Sequence, residues 1–345
     1  MMKHIRSEYI EYINRLLNLS NSVLNTHTNI VDAEDVLALE TQLAAGHLTR
    51  VELRNQAKNY HKFTVIELYR MMPNLDWTSL LTNLDFKDQI IILMPHPDYY
   101  RLLDRLIFNQ PLSVWKNKVR FTILHEMSQY LSKDFVDTRF TFYNRILQGQ
   151  KENKARWMRI IDDINKYVGE LLGKLYVEQY FPSEAKQRIF DLTKHLIDAY
   201  HQRLIRNQWM ANTTKQTAFE KLANMNIQIG YPSKWKSYEN VVFDRRSYFQ
   251  SMLNALQYTF EVKLRNLAKP VDKNDWVIPP QMINAAYVSR NLRRFHSIFN
   301  CFSFSSIKRT IKSYFQLVFF KNHSFIFMPM MQLIMVLLAV VLHMK

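Results

Sequence analysis

Glycine is nearly missing from this chain, with 5 in 345 residues. Few turns that need a positive φ can be served, so long helices with short joints are favoured over a β-sandwich. The same scarcity removes the glycine-built phosphate loops and nucleophile elbows. No G-x-x-x-x-G-K-[ST], G-x-G-x-x-G or G-x-S-x-G pattern occurs. A single cysteine, Cys301, excludes an intramolecular disulfide and a thiolate zinc cluster, and fits a reducing compartment such as the cytoplasm. The N-terminal stretch MMKHIRSEYIEYINRLL carries charges throughout and lacks the apolar run of a secretory signal. Acidic residues and glycine both vanish from Val288 to Lys345, where eight Lys or Arg residues stand. Of the formal charge of +16, only +8 therefore belongs to residues 1–287. That modest basicity gives no reason to expect nucleic acid as a partner.

What is present is helical periodicity. Ile5, Tyr9, Ile13, Leu16 and Leu17 mark one face over residues 3–24. Asp32 is placed to cap the next helix, with Gly46 at its C′ position. Thr64 and Asp76 are placed to cap two short helices. QIIILMP has strand length and ends at Pro95–Pro97, which puts His96 in a loop. Three further helices follow up to about residue 147, and then the longest amphipathic stretch, NKARWMRIIDDINKYVGELLGKLYVEQYF. Ser183 is expected to cap the next helix, Thr213 or Thr214 the one after, and Arg246–Leu267 is read as another. The segment KPVDKNDWVIPPQMINAAY holds three prolines and alternating apolar residues, so it is extended. The fold class is mainly α with one short extended segment near residues 276–287.

Candidate chemistry is sparse. His125–Glu126 opens like the helical zinc motif H-E-x-x-H, but position i+4 is Gln129, a poor zinc ligand. His125 and Glu126 then read as a half-exposed histidine beside a surface carboxylate. The extended segment offers backbone groups to a peptide by strand addition, with the Asn284 amide as an added donor and acceptor and small Ala285 allowing close approach. No catalytic set and no metal site is found in residues 1–287.

Three stretches carry a resemblance. RWMRIIDDINKYVGELLGKLYVEQYF, WMANTTKQTAFEKLANMNIQIGYPSKW and WVIPPQMINAAY, in this order and spacing, resemble the neprilysin-like zinc metallopeptidases, the bacterial endopeptidase O branch most closely. DVLALETQLA and TRVELRNQAKNYHKFTVIEL resemble the family too. The resemblance implies the multi-helix, substrate-enclosing lobe of a two-lobed, thermolysin-like metallopeptidase that uses zinc to hydrolyse short peptides. It assigns Asn284 and Ala285 to the strand that binds the substrate backbone, and it departs at Ala286, where the family prefers an aromatic residue. It also implies that the H-E-x-x-H helix and later ligands should follow Tyr287. None does, so the chain reads as a truncated member, inactive alone and holding no zinc itself, or as a helical module complementing a separate catalytic half.

The two domains expected are residues 1–287, a peptidase N-terminal domain incomplete at its start, and 288–345, an aberrant basic and hydrophobic tail. The tail's codons suggest its origin. In the frame beginning one base earlier, Met328–Pro329 forces Ala, Met330–Met331 forces Asp, Met335–Val336 forces Gly and Met344–Lys345 forces Glu. These fit a family-like approach to the His-Glu pair, so the tail is read as an out-of-frame product. The alternative is a tail-anchored membrane protein, since Phe325–Leu342 is an uncharged run of spanning length, at its lower bound.

Overall fold

A computed structural model describes residues 2–24, 32–55, 57–84, 86, 91–267, 269–270, 272, 274–276, 278–289 and 295–300. They fall into two compact units that divide between Asn153 and Lys154.

The first unit is built from helices and one small strand pair. Helix α1 (Met2–Leu24) presents Tyr12, Ile13, Leu16 and Leu17 to the interior. Helix α2 (Ala33–Ala44) starts at Asp32, whose carboxylate accepts the Glu34 amide. Strands β1 (Lys62–Phe63) and β2 (Ile92–Leu93) pair antiparallel. Helix α3 (Val65–Met71) has a full capping box: the Thr64 hydroxyl accepts from the Glu67 amide, and the Glu67 carboxylate accepts from the Thr64 amide. Helix α4 (Trp77–Asn83) starts at Asp76, which accepts from the Ser79 amide. Helices α5 (Pro97–Asn109), α6 (Leu112–Met127) and α7 (Lys133–Phe140) follow. Helix α7 continues into a π-helical turn, Thr141–Ile146.

Two apolar clusters hold this unit. One gathers Leu39, Leu68, Met72, Trp77, Leu103 and Trp115. The other gathers Tyr12, Ile13, Leu16, Val36, Phe121 and Phe142. Gly46 sits where expected after α2, but its φ is not positive. Its value is a missing Cβ, which would lie 2.9 Å from Leu102 and 3.2 Å from the Tyr99 backbone. His96, expected in a loop, is the N-cap residue of α5, with Pro97 preset for the first helical position.

The second unit begins with α8 (Arg156–Tyr180), followed by α9 (Ser183–Arg206) and α10 (Asn212–Ala223). Ser183 is not the cap of α9 and neither Thr213 nor Thr214 caps α10. Pro182 and Ala211 hold those positions, with no side-chain cap bond, and the three hydroxyl residues lie inside their helices. Strand β3 (Asn226–Ile229) leads to α11 (Tyr248–Leu267). Strands β4 (Asn284–Ser289) and β5 (Phe295–Asn300) complete a sheet in the order β3-β5-β4, with β5 parallel to β3 and antiparallel to β4. Backbone pairing thus runs past Tyr287, where the composition changes. Ladder hydrogen bonds use main-chain groups and do not require a particular side-chain sequence.

No described helix is long and apolar enough to cross a membrane. Phe325–Leu342 and most of the 288–345 tail lie outside the described residues.

Candidate functional site: a docked edge strand

Asn284 and Ala285 stand next to each other at the start of β4, opposite Asn300 and Phe299 of β5. Asn284 is exposed. Among the described residues no strand pairs with the other edge of β4. A second extended chain could add there through main-chain hydrogen bonds.

The route into this strand is built on α8. That helix breaks its regular geometry at Val168 (φ −133°, ψ 33°), immediately before Gly169. Gly169 and Gly173 are four residues apart and so lie one above the other on one helix face. Against them run Pro279 and Pro280. A Cβ on Gly169 would lie 2.4 Å from Pro279 Cγ, and one on Gly173 2.6 Å from Pro280 Cδ. Pyrrolidine rings cannot swing aside as a flexible side chain would, so both positions require glycine. Pro280 is fully buried. The Met282 amide donates to the Pro279 carbonyl over 3.0 Å, closing a β-turn with Pro280 at its second position, where its fixed φ is favoured. Gln281 Nε2 donates to Asn165 Oδ1 (2.6 Å) and to the Gly169 carbonyl (3.0 Å).

A charged knot secures the same place. Glu170, 7% exposed, accepts from the Lys236 backbone amide (3.1 Å) and pairs with the Lys236 ammonium (2.8 Å). That ammonium also meets Asp275 (3.0 Å) and donates to the Trp276 carbonyl (3.2 Å). Burial pushes the Lys236 pKa down, but hydrogen bonds and charge from Glu170 and Asp275 outweigh it, and the net shift is upward. Lys236 is therefore charged at neutral pH, and one cation ties α8 to the chain that leads into β4. Gly230 (φ 73°) ends β3 against Phe181, whose ring would lie 2.3 Å from an added Cβ.

The sequence reading named Asn284 and Ala285 and did not name Glu170, Lys236 or Gln281, which hold the chain leading to them. Two glycines four apart in one helix of a glycine-poor chain, with a Pro-Pro pair downstream, were the available signal.

His125 lies in the first unit and is not half-exposed. Its side chain is 13% exposed and that of Glu126 15%. Helix α6 turns the imidazole inward onto α1, where it hydrogen-bonds Tyr12 at 2.7 Å and faces the Arg139 guanidinium. Burial first, then the positive charges of Arg139 and Lys118, pushes its pKa down to about 3. A dication there would meet one imidazole and the Glu126 carboxylate, 3.7 Å from it, against the charges of Arg139 and Lys118, with Gln129 in place of a second histidine. These residues do not fit zinc. Among the described residues no three His, Cys, Asp or Glu side chains are grouped to hold a metal.

The N-terminal model described as peptidase family M13 matches residues 1–232. The chain belongs to that zinc metallopeptidase family. Endothelin-converting enzyme-like 1 of Mus musculus is 26% identical over 296 residues, covering 82% of this M13 chain and 37% of the mouse protein. Neprilysin-1 of Trittame loki is 27% identical over 272 residues, covering 74% of the chain and 38% of that protein. The solved zinc metalloprotease Zmp1 of Mycobacterium tuberculosis in complex with inhibitor superposes with a TM-score of 0.75 at 26% identity, over 93% of this chain and 46% of that one. PepO of Lactobacillus rhamnosis, at 20% identity and a TM-score of 0.73, shares the fold. This M13 chain spans less than half the length of each of these relatives, and it matches the helical lobe of the two-lobed M13 fold. Family members are peptidases that act on peptides.

Proposed function

We propose that residues 1–287 are the substrate-enclosing lobe of an M13 zinc peptidase, that Asn284 and Ala285 hold the backbone of an extended peptide, and that these 345 residues hydrolyse no peptide on their own. The observation that carries the reading is β4: an edge strand, with Asn284 exposed at its start, fixed to α8 by a fully buried proline. An extended peptide pairing with β4 gains main-chain hydrogen bonds, and the Asn284 amide supplies both a donor and an acceptor. Hydrolysis in this family calls on zinc to activate water. The sequence holds no H-E-x-x-H, and His125, the nearest approach to it, is neutral, mostly shielded from solvent and flanked by cations. Catalysis then requires ligands from a second lobe. Supporting that need, the second unit leaves Leu171, Leu175, Leu192, Leu196, Tyr200 and Trp209 exposed.

The test is a peptide-cleavage assay on the purified chain, with and without added zinc and chelator. No cleavage is expected; zinc-dependent, chelator-sensitive cleavage would overturn the reading. The misframed origin of the tail is tested separately by the gene's nucleotide sequence. A frame change after Tyr287 should open an H-E-x-x-H codon run, and its absence ends that idea.

A further inference from the structure

We propose that Pro279, Pro280 and Gln281, seated on Gly169 and Gly173 of α8, form a clamp that sets the position of β4, with Gln281 as a positioning residue for peptide binding. This rests on the reading of β4 as the peptide-binding strand. The geometry of the seat is specific. Each proline ring occupies the space a Cβ would need, 2.4 Å from one built on Gly169 and 2.6 Å from one built on Gly173. Pro280 is fully buried, whereas Ile283, three residues later, is 73% exposed. From the buried Pro280 the chain therefore reaches Asn284 within four residues. At about 3.3 Å per extended residue, a slip of the turn by one residue carries Asn284 by that distance and turns its side chain to the other face of the sheet.

Gln281 fixes the register of the seat. Its Nε2 bridges two successive turns of α8, at Asn165 and at the Gly169 carbonyl, on either side of the irregular Val168. Its Oε1 is buried without a hydrogen-bond partner and would lie 2.8 Å from a Cβ on Gly173. Leaving a buried acceptor unmet costs free energy, on the order of 1–3 kcal/mol. The cost is tolerated where the amide nitrogen must point to α8. The clamp thus locks the turn by shape at the two glycines and by direction at the glutamine.

The experiment is amide hydrogen exchange on the full chain for wild type, Gly173→Ala and Gln281→Ala. It is paired with binding of a fluorescein-labelled, end-blocked heptapeptide of alternating Leu and Ala. Exchange at residues 284–289 is expected to quicken about tenfold in both variants, with α9 and α10 unchanged, and the probe is expected to bind several-fold more weakly. Equal quickening throughout the second unit would mark plain destabilisation and overturn the clamp. So would unchanged exchange at 284–289 in Gln281→Ala. If Gly173→Ala does not fold, Gln281→Ala and Pro280→Ala decide the matter. If wild type shows no probe binding, the peptide-strand reading fails, while the exchange pattern still judges the clamp.

Discussion

The two units bury different things. The first closes two apolar clusters around Leu39, Leu68 and Trp115 and around Tyr12, Ile13 and Phe121. The second has one small cluster among its described residues, Trp276 with Ile278, and leaves Leu175, Leu196 and Trp209 in solvent. It buries Phe181, Ile229, Met252 and Ala255 singly, and beside them a polar pairing, Glu170 under Lys236, while half-buried Gln281 binds Asn165. The contrast teaches that apolar area gathers into clusters in the first unit, whereas in the second, directed contacts are added to scattered apolar burial where the chain leads into β4. Area is forgiving of small changes in shape, whereas a hydrogen-bonded seat fails when one donor moves.

The comparison breaks most sharply at Phe121. This ring is 2% exposed and packs edge-on against Tyr9 and Tyr12. Phe121→Ala should cost the first unit about 3–5 kcal/mol, read by urea unfolding, with exchange in α9 and α10 unaffected. Acid should then separate the units. The folded-state pKa of His125 is about 3, below the unfolded value near 6.5. Its contribution is full above the unfolded value and is lost as pH falls from there toward 3. The loss amounts to several kcal/mol at most, on the order of 1.4 kcal/mol per unit. Thermal melts from pH 7 to pH 4 should show this in the wild type, and His125→Gln should flatten the dependence.

Smaller effects sharpen the picture of the second unit. Lys236→Met leaves the Glu170 carboxylate, 7% exposed, without its cation, and should cost about 1–3 kcal/mol. The effect is discounted because the Lys236 side chain is 40% exposed. Its raised pKa means that the pairing is present below the usual lysine range and is lost as pH rises through the folded value. Smallest of all, Leu196→Ser on the exposed side of α9 should change stability by less than about 0.5 kcal/mol while reducing self-association in light scattering.

Much of the first unit was legible in sequence because its signals are local. Asp32, Thr64 and Asp76 cap the helices they precede. The caps of α9 and α10 misled because proline or alanine fills a cap position without a side-chain acceptor, so the nearby hydroxyls drew the eye. Strand β3 was missed since its partner, β5, lies about seventy residues on. The proposed site was legible only in part. Asn284 and Ala285 came from the family pattern. The supports Glu170, Lys236 and Gln281 depend on contacts across 40 to 116 residues, which no periodicity reports. His125 was placed on a helix correctly, yet its burial depends on where α1 packs.

The most direct test of a strand offered to peptides without zinc chemistry is amide protection on peptide binding. The full chain is mixed with the end-blocked Leu/Ala heptapeptide, and exchange is compared with and without chelator. The account predicts new protection at residues 284–289 that is the same in both conditions. Protection that appears elsewhere, or that disappears when metal is removed, would contradict it.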